Sequence, residues 1–222
     1  MRRPIAAVAA LLAVLVLAGC QSALSETGEP LTIEQSELLA QTRFQVAASG
    51  PHVIEISIGA ADDVDHLAYE VTYDPAVHAA WGTLHRGPSD LAVEEQVAFS
   101  PDTYAQLAEG RWMTGAIASA PSPVLSVVFA LSADRPENAQ LLRQSDARYL
   151  GATDVDGEQL QVFRMPSSDG SGGATTRLWL DEDGTMRRLD AGDDETLVIS
   201  FTDEDPQPAP DGLSFGEDTT DE

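Results

Sequence analysis

Two neighbouring runs decide the fold: His52-Val53-Ile54-Glu55-Ile56-Ser57-Ile58 and Leu67-Ala68-Tyr69-Glu70-Val71-Thr72-Tyr73. In the first, Ile54, Ile56 and Ile58 fall on one side and Val53, Glu55 and Ser57 on the other. In the second, Leu67, Tyr69, Val71 and Tyr73 alternate with Ala68, Glu70 and Thr72. A strand turns successive side chains to opposite faces, so a period of two marks strands with one face buried. Asp62-Asp63 lies between the runs and marks a hairpin turn.

The pattern extends in both directions. Further strands are expected over 79–85, 94–99 and 104–112. After an interruption they resume over 149–153 and 159–165, around Asp156-Gly157, and over 177–181 and 185–190, around Asp183-Gly184. Asp-Gly between alternating segments is a strong hairpin signal. A final strand is expected over 196–201, and 167–174 reads as a flexible Gly/Ser loop.

Helical signals stand before and within this series. Thr32 followed by Gln35 has the spacing of a capping box. Ile33, Leu38, Leu39 and Phe44 suggest a short amphipathic helix running to about Thr42. In the middle, Val124, Leu125, Val127, Val128 and Leu131 recur at helical spacing. Asp134 and Pro136 read as the start of another helix, through Leu141 and Leu142. The expected fold class is α+β: a curved antiparallel sheet, or half-barrel, covered by a few short helices. Its concave interior is either packed solid or left open as a cavity.

The N-terminus carries a different signal. Arg2 and Arg3 precede an apolar run from Ile5 to Ala18, too short to span a bilayer, which ends in Leu17-Ala18-Gly19-Cys20. The layout is that of a secretory signal peptide, and the quartet resembles a bacterial lipobox. The resemblance implies cleavage after Gly19, a diacylglyceryl group on the Cys20 thiol, and a place on the extracytoplasmic face of the cell membrane. The expected organisation is a signal peptide over 1–19, a lipidated cysteine and tether over 20–31, a folded domain over 32–204 and an acidic, disordered tail over 205–222. Cys20 is the one cysteine, so no internal disulfide can form.

Composition narrows the partners. The chain has 222 residues, 12 basic against 37 acidic, and a formal net charge of −25. Such a field repels nucleic acid and anionic membrane surfaces, so attachment falls to the lipid.

The order of motifs resembles the LolA-like superfamily of lipoprotein carriers, and more closely the LppX/LprG-like lipoproteins of actinobacteria. The residues that carry it are the lipobox, the helix near Thr32, the stretch Tyr104-Ala105-Gln106-Leu107-Ala108-Glu109-Gly110-Arg111-Trp112, and the apolar segment before Leu142. Tyr149 through Arg164 and the strands around Trp179 and Met186 complete it. The resemblance implies a half-barrel that holds lipid acyl chains, with no catalytic residues.

No catalytic constellation is legible. His52, His66, His78 and His85 lack metal-site spacing, and neither a Gly-x-Ser-x-Gly elbow nor a phosphate loop is present. Asp181-Glu182-Asp183-Gly184 resembles the start of a calcium loop but lacks its later glutamate, and reads as a turn. Neither an enzyme nor a cofactor is expected. Trp81, Tyr104, Trp112, Val124, Val128, Phe129 and Leu131 are the candidate lining of a lipid cavity, and equally candidate core. Two functions stay open: a membrane-anchored lipid binder, with carriage of lipid through the cell envelope as its expected role, and a surface interaction or sensory lipoprotein with a packed core and no ligand.

Overall fold

The computed structural model describes residues 24–88, 92–120, 123–155, 157–166, 175–192 and 197–213, with Pro123 and Val124 described by their backbone alone. The signal peptide, Cys20, the 167–174 loop and the end of the tail lie outside these residues.

Twelve strands form one antiparallel sheet among the described residues: β1 (Glu29–Pro30), β2 (His52–Ile58), β3 (Leu67–Asp74), β4 (Ala79–Arg86), β5 (Val93–Phe99), β6 (Thr103–Ala108), β7 (Arg111–Ala116), β8 (Arg148–Val155), β9 (Glu158–Arg164), β10 (Thr176–Leu180), β11 (Met186–Ala191) and β12 (Leu197–Phe201). Their order across the sheet is β1-β8-β9-β10-β11-β12-β2-β3-β4-β5-β6-β7. The last strand thus closes on β2, Leu197 opposite Ile58 and Phe201 opposite Ile54. Neither edge pairs with the other, so the sheet is an open half-barrel of the expected α+β class.

The helices lie on one face. α1 (Ile33–Ser49) starts at Thr32, whose Oγ1 accepts from the Gln35 N–H while its own N–H donates to Gln35 Oε1. It runs well past the expected end at Thr42. Thr42 and Ser49 remain compatible with a helix because their hydroxyls donate back to the carbonyls of Leu38 and Gln45, and the helix ends at Gly50-Pro51. Leu39, Ala40 and Val46 are its buried residues on the core side.

The segment Pro123–Ala130 is a 3-10 helix rather than an α-helix. Its period of three brings Leu125, Val128 and Leu131, each 1% exposed or less, into one row against the sheet. The helix expected from Asp134 begins later: α2 spans Ala139–Gln144, capped by Asn138 Oδ1, which accepts from the N–H groups of Gln140 and Leu141. Residues 132–137 instead line α1. Ala133 and Glu137 donate their N–H groups to the carbonyls of Arg43 and Ala40, and Arg43 reaches Glu137 Oε1 at 3.3 Å and the Ser132 carbonyl at 3.1 Å.

Three other expectations are corrected. The single strand expected over 104–112 is a hairpin, β6 and β7, turning at Glu109 and Gly110 with φ of 50° and 74°. Two positive φ values make a two-residue turn whose twist matches the flanking strands, and a Glu-Gly pair accomplishes it without Asn or Asp. The expected tether is docked from Ser25, whose N–H donates to the Leu150 carbonyl, and β1 pairs with β8. The expected free tail lies against the sheet over residues 205–213, as described below. Among the described residues no helix is long and apolar enough to cross a membrane.

Candidate functional site

Strand alternation and register place the expected lining residues. Leu84, Val97, Phe99 and Tyr104 point into the main core, beneath α1 and the 3-10 helix. Val128, Phe129 and Leu131 meet them there; the Phe129 ring packs edge-on against Phe99 and Tyr73, with centroids 6.0 and 6.4 Å apart. Tyr73 is closed off by a 2.6 Å hydrogen bond to Ser132 Oγ. Four of the seven candidates are therefore together, and this part of the concave face is filled.

Trp81 and Trp112 lie on the other side of the sheet. Trp81 is one residue out of phase with Ala80 and Leu84 and joins Ala79, Ala98 and Ala105 in a separate outer cluster, with Trp112 packed on it. They cannot line a space with Tyr104 because the sheet lies between. The Val124 side chain and Cys20 fall outside the described residues.

The helical cover stops short of the last strands. Tyr69 of β3 lies opposite Leu84 of β4, and Leu84 opposite Glu95 of β5. In the next row Val71, Gly82, Val97, Gln106 and Met113 follow one another across five strands. Side chains two residues apart share a face, so Val93 and Glu95 stand on the same concave face as Val97 and Phe99. There Val93 is 62% and Met113 60% exposed. The concave face thus emerges from beneath the helices at β5–β7 as a mixed surface, with Val93 opposite Arg86 and Met113 opposite Gln106.

A polar group sits at that transition. Glu95 accepts from Arg86 Nε at Oε1 and from Gln106 Nε2 at Oε2, both at 3.0 Å. The hydrogen bond to Glu95 raises the Arg86 pKa above the usual guanidinium value. Tyr69 and Tyr104 are buried beside this group, and their hydroxyl oxygens have no hydrogen-bond partner. Burial pushes the Tyr104 hydroxyl up to about 12 and the Tyr69 hydroxyl further. Tyr69, Arg86, Glu95 and Gln106 were not among the sequence candidates. The available signal was the phase of β5: Glu95 stands two residues before Val97, on the apolar side of its strand.

Surface grooves lie elsewhere. One of about 1110 Å³ runs along residues 133–138 and α2 to Pro166, and none of the seven candidates lines it. One of about 470 Å³ separates the end of α1 from β11 and β12. The Asp181–Gly184 segment is a turn, with Asp181 Oδ1 accepting from the N–H groups of Asp183 and Thr185. Among the described residues no three metal-binding side chains converge.

No protein-family model matches the chain, and no curated protein matches it. Solved structures with which it shares an outline include LprF from Mycobacterium bovis, at 13% identity and a TM-score of 0.45, over 79% of this chain and 94% of that one. The Mycobacterium tuberculosis lipoprotein LppX gives 12% identity and a TM-score of 0.47 over 75% and 93%. A LolA superfamily protein from Nitrosomonas europaea gives 12% and 0.34 over 85% and 99%. Each is a likeness in outline at a TM-score below 0.5, and no ligand or residue role passes from them to this chain.

Proposed function

We propose that the protein is a membrane-anchored extracytoplasmic lipoprotein that binds lipid acyl chains on its concave sheet face. The observation that carries this reading is the exposure of Val93 and Met113 on the face whose covered part forms the core. Apolar side chains left open to solvent beside a core gain about 25 cal/mol per Å² of apolar area when a chain covers them. Attachment rests on the pattern Leu17-Ala18-Gly19-Cys20. Cys20→Ser should release the protein from membranes and abolish incorporation of labelled fatty acid; persistence of both would sink the anchor.

The carrier test is direct. The full chain bearing Cys20→Ser, expressed in a lipid-containing host, should yield lipid on organic extraction and mass spectrometry, and should bind fluorescent acyl chains. An empty protein that refuses such chains favours the second function, an interaction module. The filled interior around Phe99, Leu125, Val128 and Leu131, each 1% exposed or less, is the observation on that side.

A further inference from the structure

We propose that Tyr69 and Tyr104 form a recognition subsite for an uncharged oxygen acceptor, such as an ester carbonyl, carried by an otherwise apolar ligand. The subsite rests on the carrier reading above and adds a chemical preference to it.

Both rings belong to the inner face of one sheet, Tyr69 1% and Tyr104 6% exposed, and both hydroxyl oxygens lack a partner. Buried polar groups almost always find a partner, so two orphans on one face are unusual. Tyr73 shows the ordinary case on the same face: its hydroxyl is bonded to Ser132 Oγ. For Tyr69 and Tyr104 there is no such partner. Glu95 accepts from Arg86 and Gln106, and neither tyrosine hydroxyl bonds to it.

Two donors in an apolar setting call for an acceptor. Its charge follows from the surroundings. A carboxylate or phosphate there would be buried beside the Glu95 carboxylate, in a protein of net charge −25. Arg86 gives little relief because its charge is already offset by the Glu95 carboxylate paired with it at 3.0 Å. A neutral carbonyl accepts from a tyrosine hydroxyl without bringing charge out of water. Val93, on β5 with Glu95, and Met113, opposite Gln106, supply apolar contacts for the rest of the ligand. The ring of Tyr69 is held edge-on by Phe99 with centroids 6.1 Å apart, which fixes one donor in advance.

The experiment uses the full chain bearing Cys20→Ser and three pyrene-labelled probes of equal length: a fatty acid methyl ester, the free acid and an alkane. The ester should bind most tightly. Tyr69→Phe and Tyr104→Phe should each weaken ester binding about tenfold, the worth of one net hydrogen bond, and leave alkane binding unchanged. Tyr73→Phe should leave the ester preference intact. The thermal midpoints of the Tyr69 and Tyr104 variants should hold or rise, since each loses an unpaired polar group. Equal binding of ester and alkane by the wild type overturns the subsite and leaves the carrier standing. A lowered midpoint with the preference retained also overturns it, by assigning the hydroxyls to structure or to bound water. Failure of all three probes removes carrier and subsite together.

Discussion

The indole N–H of Trp81 donates to the backbone carbonyl of Gln207 at 3.0 Å, across 126 positions of sequence. The N–H of Gln207 in turn donates to Thr72 Oγ1 at 2.9 Å. Residues after β12 therefore cross the outer face of β3 and β4 instead of leaving the domain, and Leu213 packs on the outer cluster of Ala79, Trp81, Ala98 and Ala105. A groove of about 300 Å³, lined by Trp81, Trp112, Pro208 and Pro210 among others, remains between this strap and the sheet.

Truncation after Asp205 removes the strap. Loss of two hydrogen bonds and of the cover over Trp81 should cost about 2 kcal/mol. For a domain of this size the thermal midpoint should fall by about 5 °C, with a red shift of tryptophan fluorescence. An unchanged midpoint and spectrum would show that the strap does not hold in solution.

Core packing sets a second expectation. Leu131→Ala removes a side chain with no solvent exposure and should cost about 3 kcal/mol in urea unfolding. Val128→Asp places a carboxylate among Phe129, Leu125 and the sheet and should leave the protein unfolded or aggregated. A folded, stable Val128→Asp protein would mean that water reaches this part of the concave face.

Two turn glycines offer a matched pair. Gly184 and Gly157 both hold positive φ, 83° and 90°. A Cβ on Gly184 would stand 2.7 Å from Leu38 Cδ1, where α1 meets the β10–β11 turn; on Gly157 it would meet nothing within 4 Å. Gly157→Ala should cost only the backbone strain, about 1 kcal/mol. Gly184→Ala should cost clearly more and loosen α1, read as faster amide exchange in Leu38 to Thr42. Equal losses would show that Leu38 moves aside freely.

Alkaline stability should report the buried tyrosines. The hydroxyls of Tyr69 and Tyr104 ionise at higher pH in the folded protein than the ordinary value of 10, because burial disfavours the phenolate. Their contribution to stability is complete below pH 10 and is lost as the pH rises through about 12, the Tyr104 value. Absorbance at the phenolate band should rise for these two together with unfolding, and Tyr104→Phe should move alkaline unfolding to higher pH. Early, independent titration of all four tyrosines would contradict their burial.

Local pattern sufficed for much of the sheet. Ile54-Glu55-Ile56-Ser57-Ile58 and Leu67 to Tyr73 alternate without interruption, and their strands, His52–Ile58 and Leu67–Asp74, follow those runs within a residue. Asp183-Gly184 marked its turn for the same reason: the φ it needs is available to few residue types. The capping box at Thr32 and Gln35 is likewise a local matter of one hydrogen-bonded turn.

Tertiary structure decided what those strands face. Ala80 and Trp81 are consecutive apolar residues, so period two alone gives no phase; pairing with β3 and β5 put Ala80 inside and Trp81 outside. The Arg86–Glu95–Gln106 group joins three strands, and no one of them shows in its own sequence that its polar residue has a partner on the apolar face. The acidic segment after Asp203 has the composition of a free tail, yet backbone groups of Gln207 bind Trp81 and Thr72. Composition counts side chains, whereas a strap is held largely by main-chain hydrogen bonds, and their partners exist only once the sheet has formed.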